Sequence, residues 1–284
     1  MHKFFNYVFL AILAVSARSV FAAAIIPVKP LEVGIVPYMS ARALITSYEP
    51  MRRYLEQTLG RPVKVYTSNG FKQFFLNAQR GDYDLVITAS HFARILQKED
   101  GYTPLVRFAA VGHASIVTAL DSPIKTTQDL RGHILAVPDK LSLSTIVVLS
   151  YLDEQGLRSD TDYQLLEMPS FASAILSVQK GEAMAAVSAP GILAQMPEEL
   201  SGSVTTIAHT GEFLRNIFLS HPHMERSYAD LIKHALLKFG SDSDEGKKFI
   251  RGTGSGAIIP VTASDMGSLD RYIAETKRLL AETP

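Results

Sequence analysis

The chain contains no cysteine in its 284 residues. That absence excludes disulfides, a thiol nucleophile and any thiolate-held metal. It also removes the residue that would carry a lipid anchor at an export cleavage point. Net charge is missing too, since 28 Lys and Arg offset 28 Asp and Glu. Proteins that grip a duplex or an anionic membrane generally carry a basic excess, so nucleic acid is not an expected partner. Beyond the N-terminus no apolar run is long enough to span a bilayer.

What is present describes a folded, exported protein. Hydrophobic residues make up 47% and charged residues 20% of the chain, a balance far from that of disordered proteins. The length suffices for one large domain or two medium ones. Residues 1–22 read as a signal peptide. Lys3 lies in a short basic region, Tyr7–Val15 forms the apolar stretch, and Val20 and Ala22 supply the small residues before the cut. Cleavage is expected after Ala22, with Ala24 as second choice. An exported chain without a lipid-bearing cysteine is retained where an outer membrane confines it. A Gram-negative periplasm is therefore the expected location, and a soluble monomer the expected form.

The rest of the chain alternates strands and helices. Leu31–Val36 is an apolar, β-branched run, and Ala41, Leu44, Ile45, Tyr48, Met51, Leu55 and Leu59 then recur at helical spacing until Gly60. Short strand–helix joints continue to Gln97, which argues for βαβ units and a mainly parallel sheet. The rhythm breaks twice, at Leu105–Val111 with Ala114–Leu120 and again at Val204–Ala208 with Phe213–Leu219, where extended runs follow one another with no helix between. These breaks predict an α/β protein of two lobes, each a mainly parallel sheet flanked by helices, joined by two crossing hinge strands. The expected divisions are 23–112 for the first lobe, 113–208 for the second, and 209–284 returning to the first with C-terminal helices. A single helix is expected over Ala263–Leu280.

An internal echo agrees with this division. Phe71–Ala89 and Phe171–Ala189 align without gaps, sharing Phe71/Phe171, Leu76/Leu176, Gln79/Gln179, Gly81/Gly181 and Ala89/Ala189. Both read as helix, glycine stop, strand and hydroxyl-bearing turn. Any two helix–glycine–strand units share some of these features, so the echo by itself leaves open whether it marks a true repeat.

In open α/β sheets ligands gather beyond the carboxyl ends of strands, where helix N-termini also point. Here those exits carry hydroxyls: Tyr38 and Ser40 after the first strand, Thr88, Ser90 and His91 after the third, Ser142, Ser144 and Thr145 after Ile134–Val137, and Ser188 at the end of the strand that follows the second echo helix. Unpaired amides at a helix start carry partial positive charge, and Ser or Thr adds donors without adding net charge. The pattern suits a small anion. A serine at a helix start is also an ordinary N-cap, and His91 is readable either as a protonated partner for an anion or as a residue packed behind the site.

Other chemistries find little support. No G-x-S-x-G elbow, H-E-x-x-H helix or complete phosphate loop occurs. Gly252–Gly256 (GTGSG) lacks the lysine of such a loop and follows a helix, so a flexible turn is expected there. His221 and His223, with His113, His133 and His209, have no acid at tight spacing to complete a metal site. No catalytic residue, metal or cofactor is expected.

Gly34–Pro37, Tyr48–Met51, Tyr54–Glu56, Leu59–Val63 and Gly81–Leu85, with Asp129–Gly132 ahead of the serine loop at Ser142, resemble in order the phosphonate/phosphite/phosphate-type periplasmic solute-binding proteins of ABC importers. The resemblance covers essentially the whole exported chain. It implies a two-lobed fold that closes on an oxyanion, with ligand roles at Tyr38, Thr88, Ser90, Ser142, Ser144 and Thr145. In the serine loop Leu143 and Thr145 stand where the family commonly has a hydroxyl and a glycine. The implied partners are a small anionic solute and an inner-membrane ABC permease. A ligand sensor docking on a membrane receptor kinase is the alternative with the same fold.

Overall fold

The computed structural model describes residues 29–189 and 191–282, so the expected signal peptide lies outside the described residues. The first lobe opens with β1 (Leu31–Ile35), α1 (Ala41–Leu59), β2 (Val63–Tyr66), α2 (Phe71–Gln79), β3 (Leu85–Thr88), α3 (Ser90–Glu99) and β4 (Thr103–Phe108). After β5 (Val111–Gly112) comes the second lobe, with β6 (Ser115–Ala119), β7 (Ile134–Val137), α4 (Leu143–Glu154), β8 (Gln164–Glu167), α5 (Phe171–Gln179), β9 (Ala185–Ser188), α6 (Glu198–Ser201) and β10 (Val204–His209). The chain then returns through β11 (Phe213–Leu214) to β12 (Ile217–Ser220), α7 (Arg226–Asp242), α8 (Asp244–Thr253), β13 (Ile258–Pro260), α9 (Ala263–Gly267) and α10 (Ile273–Glu282).

The first lobe is a six-stranded sheet in the order β13-β4-β12-β3-β1-β2, and the second a five-stranded sheet in the order β10-β6-β9-β7-β8. The βαβ units make β2, β1 and β3 parallel in one sheet and β8, β7 and β9 parallel in the other. The strands entering from the crossings, β6 and β12, run antiparallel to their neighbours. The two crossings pair with each other as a separate ribbon, Phe213 opposite Gly112 and Leu214 opposite Val111. Beside that ribbon the Thr210 hydroxyl accepts the Ala114 N–H at 3.0 Å, and the Thr210 N–H donates to the Ala114 carbonyl at 2.9 Å. These bonds hold the two crossings together where the chain passes between the sheets.

Strand side chains alternate between faces, and the cores follow that period. Leu31, Val33, Ile35, Leu85, Ile87 and Phe218 pack toward α1, α7 and α8. Val36, Val86, Ile217 and Leu219 face the opposite side, toward α2, α3 and α10. Gly34 sits in β1 where the Tyr83 ring crosses; a Cβ there would lie 2.4 Å from the ring. The second lobe has its own core, built from β6, β7, β9, α4 and α5. Gly81 and Gly181 hold equivalent left-handed turns (φ 80° and 72°) one residue past the C-caps of α2 and α5, which ends both helices before their strands.

The helix expected at the C-terminus is divided. Ala263–Leu280 is not a single helix: α9 stops at Gly267, a short 3-10 turn occupies Asp270–Tyr272, and α10 begins at Ile273. Gly267 and Ser268 are weak helix formers, and the break lets Asp270 receive the Arg94 guanidinium at 2.7 Å. Met266 and Leu269 remain buried on the first lobe, so the apolar stripe survives the interruption.

Candidate functional site between the lobes

The carboxyl ends of β1, β3, β7 and β9 and the N-termini of α2, α3, α4 and α5 converge on one small, partly open cavity of ≈ 80 Å³. The first lobe supplies Val36, Tyr38, Phe71, Ala89 and Ser90, and the second supplies Ser142, Leu143, Ser144, Phe171, Ala189 and Ile192. The returning chain adds Phe213, Leu214, Arg215 and Asn216, while Phe108 and Thr253 complete the wall. Both ends of the internal echo, Phe71 with Ala89 and Phe171 with Ala189, therefore border the same space.

The serine loop separates capping from ligand binding. Ser142 occupies the N-cap of α4, yet its side chain caps no amide. Ser142 and Ser144 are only 3% and 5% exposed, and neither hydroxyl has a hydrogen-bond partner among the described residues. Buried hydroxyls normally find partners, so two open ones on a cavity wall are groups available to a ligand. The first amides of α4 have no partner within their own helix and lie at the same edge. Ser90 is placed differently: its hydroxyl lines the cavity but donates to the Leu214 carbonyl at 2.7 Å, tying the start of α3 to the returning crossing.

Tyr38 also lines the cavity, its hydroxyl 3.5 Å from that of Tyr48. Burial pushes both phenols above their ordinary range, so each keeps its proton and remains a donor. The other expected residues lie off the wall. Thr88 and Thr145 are fully buried behind it, with their hydroxyls unpartnered. Ser188 is buried at the end of β9, opposite Ser115. Ser40 is exposed and accepts the Ala43 N–H at 3.3 Å, an ordinary cap of α1. His91 is buried, and its Nε2–H donates to the Leu141 carbonyl at 3.0 Å. Burial pushes its imidazole down to about 3, with the Leu141 carbonyl opposing. It is neutral near pH 7 and cannot serve as the protonated partner of an anion.

Arg215 is the residue that sequence reasoning missed. Its Nη1 donates to the Gly254 carbonyl at 2.6 Å and its Nη2 to the Thr253 carbonyl at 3.2 Å, and its guanidinium lies 5.9 Å from the centre of the Phe108 ring. No carboxylate lies within ion-pair distance of it among the described residues. Burial lowers its pKa and the Tyr38 and Tyr48 phenols oppose the shift, but a guanidinium stays charged under any physiological condition. The cavity thus holds one permanent cation besides the uncharged hydroxyl donors expected from the sequence. Of the GTGSG segment expected to be a flexible turn, Gly252 and Thr253 close α8 and residues 254–256 form the turn that follows, and the Thr253 and Gly254 carbonyls hold Arg215 in place.

The lobes also clasp each other beside the cavity. Leu141 and Ile146, from the second lobe, are buried among Phe71, Phe74, Phe75 and Phe92 of the first. The Asp139 carboxylate accepts the Leu141 N–H at 2.7 Å and also bonds the Phe71 N–H at the start of α2. Burial raises the Asp139 carboxyl above its ordinary range, and these two amides partly restore it.

Comparison with known proteins agrees with this geometry. The family model for the periplasmic substrate-binding protein of phosphonate ABC transporters matches residues 33–266. No curated protein matches the sequence. Among solved structures, the chain is similar to PhnD1 from Prochlorococcus marinus in complex with methylphosphonate, at 14% identity and a TM-score of 0.76, covering 89% of this chain and 99% of that one. A binding-protein component of an ABC phosphonate transporter from Pseudomonas aeruginosa matches at 14% identity and a TM-score of 0.75, with the same coverage. The periplasmic aliphatic sulphonate-binding protein SsuA from Escherichia coli matches at 18% identity and a TM-score of 0.56, covering 89% and 94%. The family and these neighbours are solute-binding proteins, not enzymes. The chain belongs to the phosphonate-type periplasmic substrate-binding protein family of ABC transporters.

Proposed function

We propose that the protein captures a small oxyanionic solute of the phosphonate, phosphate or sulfonate kind between its lobes and delivers it to an inner-membrane ABC permease. The observation that carries this reading is the pair of buried, unpartnered hydroxyls of Ser142 and Ser144 lining the same cavity as Arg215. Charge-assisted hydrogen bonds contribute about 1.5–3 kcal/mol each when enclosed. A few of them, less the cost of lost freedom and desolvation, bring binding into the micromolar range, about −8 kcal/mol. Donors on both lobes reward closure, and opening returns water to them and releases the solute. The ligands of two structural relatives, methylphosphonate and aliphatic sulphonates, fall in the same chemical class.

The test is a thermal-shift screen against phosphate, phosphite, alkylphosphonates, alkylsulfonates and nucleotides. The reading expects one oxyanion class to raise the melting temperature in a dose-dependent way, as ligand linkage requires. A response confined to uncharged or cationic compounds contradicts it. Stimulation of a reconstituted permease's ATPase by the loaded protein separates transport from sensing through a receptor kinase.

A further inference from the structure

The charge and surface of the cavity say more about its guest than that it is an anion. Not one Asp or Glu lines the cavity among the described residues, and Arg215 is its only charged side chain. The remaining wall is largely apolar, with Phe71, Phe171 and Phe213 facing the space beside Leu143 and Ile192. An ammonium entering it would meet a like charge, with no carboxylate to pair it, and burying an unpaired charge is costly. Phenyl faces do attract cations, but a primary ammonium also needs acceptors for its three N–H groups. Three carbonyls at the wall are already engaged, that of Leu214 by Ser90 and those of Thr253 and Gly254 by Arg215, and the remaining side-chain acceptors are neutral amide or hydroxyl oxygens that carry no charge to offset the ammonium.

We propose that the solute is a tetrahedral oxyanion carrying an uncharged, apolar substituent, with Arg215 as the residue that selects for charge, and that zwitterionic aminoalkyl oxyanions are rejected. This choice of guest rests on the oxyanion reading of the same site. The head group meets Arg215 and the donors of the serine loop, while the substituent lies along the phenyl rings. Removing the guanidinium weakens the head group's hold and also lifts the repulsion felt by an amine.

Calorimetric titration with matched pairs tests this: ethylphosphonate against 2-aminoethylphosphonate, and ethanesulfonate against 2-aminoethanesulfonate, with inorganic phosphate and sulfate as reference anions. The amine member of each pair is expected to bind at least tenfold more weakly, and whichever alkyl compound binds tighter identifies the head group. An amine that binds as well as its alkyl counterpart, or better, overturns the proposal while leaving the oxyanion reading intact. So does binding of the reference anions alone. Silence from all six compounds overturns both. In the Arg215→Gln protein the alkyl compound is expected to lose at least tenfold in affinity and the discrimination against the amine to shrink. A loss of stability alone would not narrow that discrimination, and unchanged affinity for the alkyl compound removes Arg215 from the role assigned to it.

Discussion

Phe71 and Phe171 stand at the first position of equivalent helices in the two lobes and border the same interlobe cavity. The helices that they open end at Gln79 and Gln179, and the next strands end at Thr88 and Ser188, so the two units keep a constant offset through helix, glycine turn and strand. The recurrence reflects a shared geometrical task. Each unit must deliver a helix start and a strand end to the same place, and each needs a glycine in the left-handed region to reverse the chain between them.

Gly34 is expected to tolerate no side chain. A Cβ would lie within 2.4–2.7 Å of three Tyr83 ring atoms. Tyr83 is buried and its hydroxyl receives the Asn77 amide at 3.1 Å, so the ring has little room to retreat. Gly34→Ala should lower stability by about 1–3 kcal/mol through overpacking, measured by urea denaturation. An unchanged midpoint would show that the ring moves freely.

His91 should make stability depend on pH. Its pKa is lowered from 6.5 to about 3 in the folded protein, so the unfolded chain takes up the proton first. The stabilisation is fully present above pH 6.5 and is lost as pH falls toward 3, with a limiting slope of about 1.4 kcal/mol per pH unit. His91→Gln retains an N–H donor toward Leu141 but cannot titrate. Between pH 6.5 and 5 the variant should lose less stability than the parent, as read by denaturation at each pH. Parallel curves for the two proteins would contradict the assignment.

Leu141 joins the lobes. It comes from the second lobe, is fully buried in the core of the first, and its carbonyl accepts the His91 N–H. Leu141→Ala should disfavour the closed arrangement by roughly 2–4 kcal/mol, the usual cost of truncating a buried leucine. The expected signs are weaker ligand binding and a larger radius of gyration in small-angle scattering of the unliganded protein. A variant as compact as the parent with unaltered affinity would show that Leu141 contributes only to general packing.

Much of this architecture is legible in the sequence because it follows local periodicity. Alternating strands and helices, and the extended runs around Val111 and Phe213, announce two sheets and a double crossing before any contact is known. The serine loop is legible for the same reason, since a hydroxyl cluster after a strand lies near a helix start wherever the chain goes. Direction in three dimensions is not local. Ser40 and Ser188 satisfy the strand-exit pattern as well as Ser142 does, but the first turns outward to cap its own helix and the second is buried in its sheet. Arg215 escapes notice because it interrupts the apolar run Phe213–Leu219, which reads as one strand. In the folded chain the run divides into Phe213–Leu214 and Ile217–Ser220, and Arg215 falls in the gap. A charged residue inside a hinge-length apolar run was the available signal.

The most direct measurement is calorimetric binding of the best oxyanion from the screen to the Ser142→Ala/Ser144→Ala protein, alongside thermal unfolding without ligand. Because neither hydroxyl is spent on a cap or another side chain, affinity should fall about tenfold for each lost charge-assisted bond at about 1.5 kcal/mol apiece, hence about a hundredfold for the pair, while the unliganded melting temperature barely moves. Full affinity combined with a marked drop in melting temperature would contradict the account, since these serines would then serve the fold and not the guest.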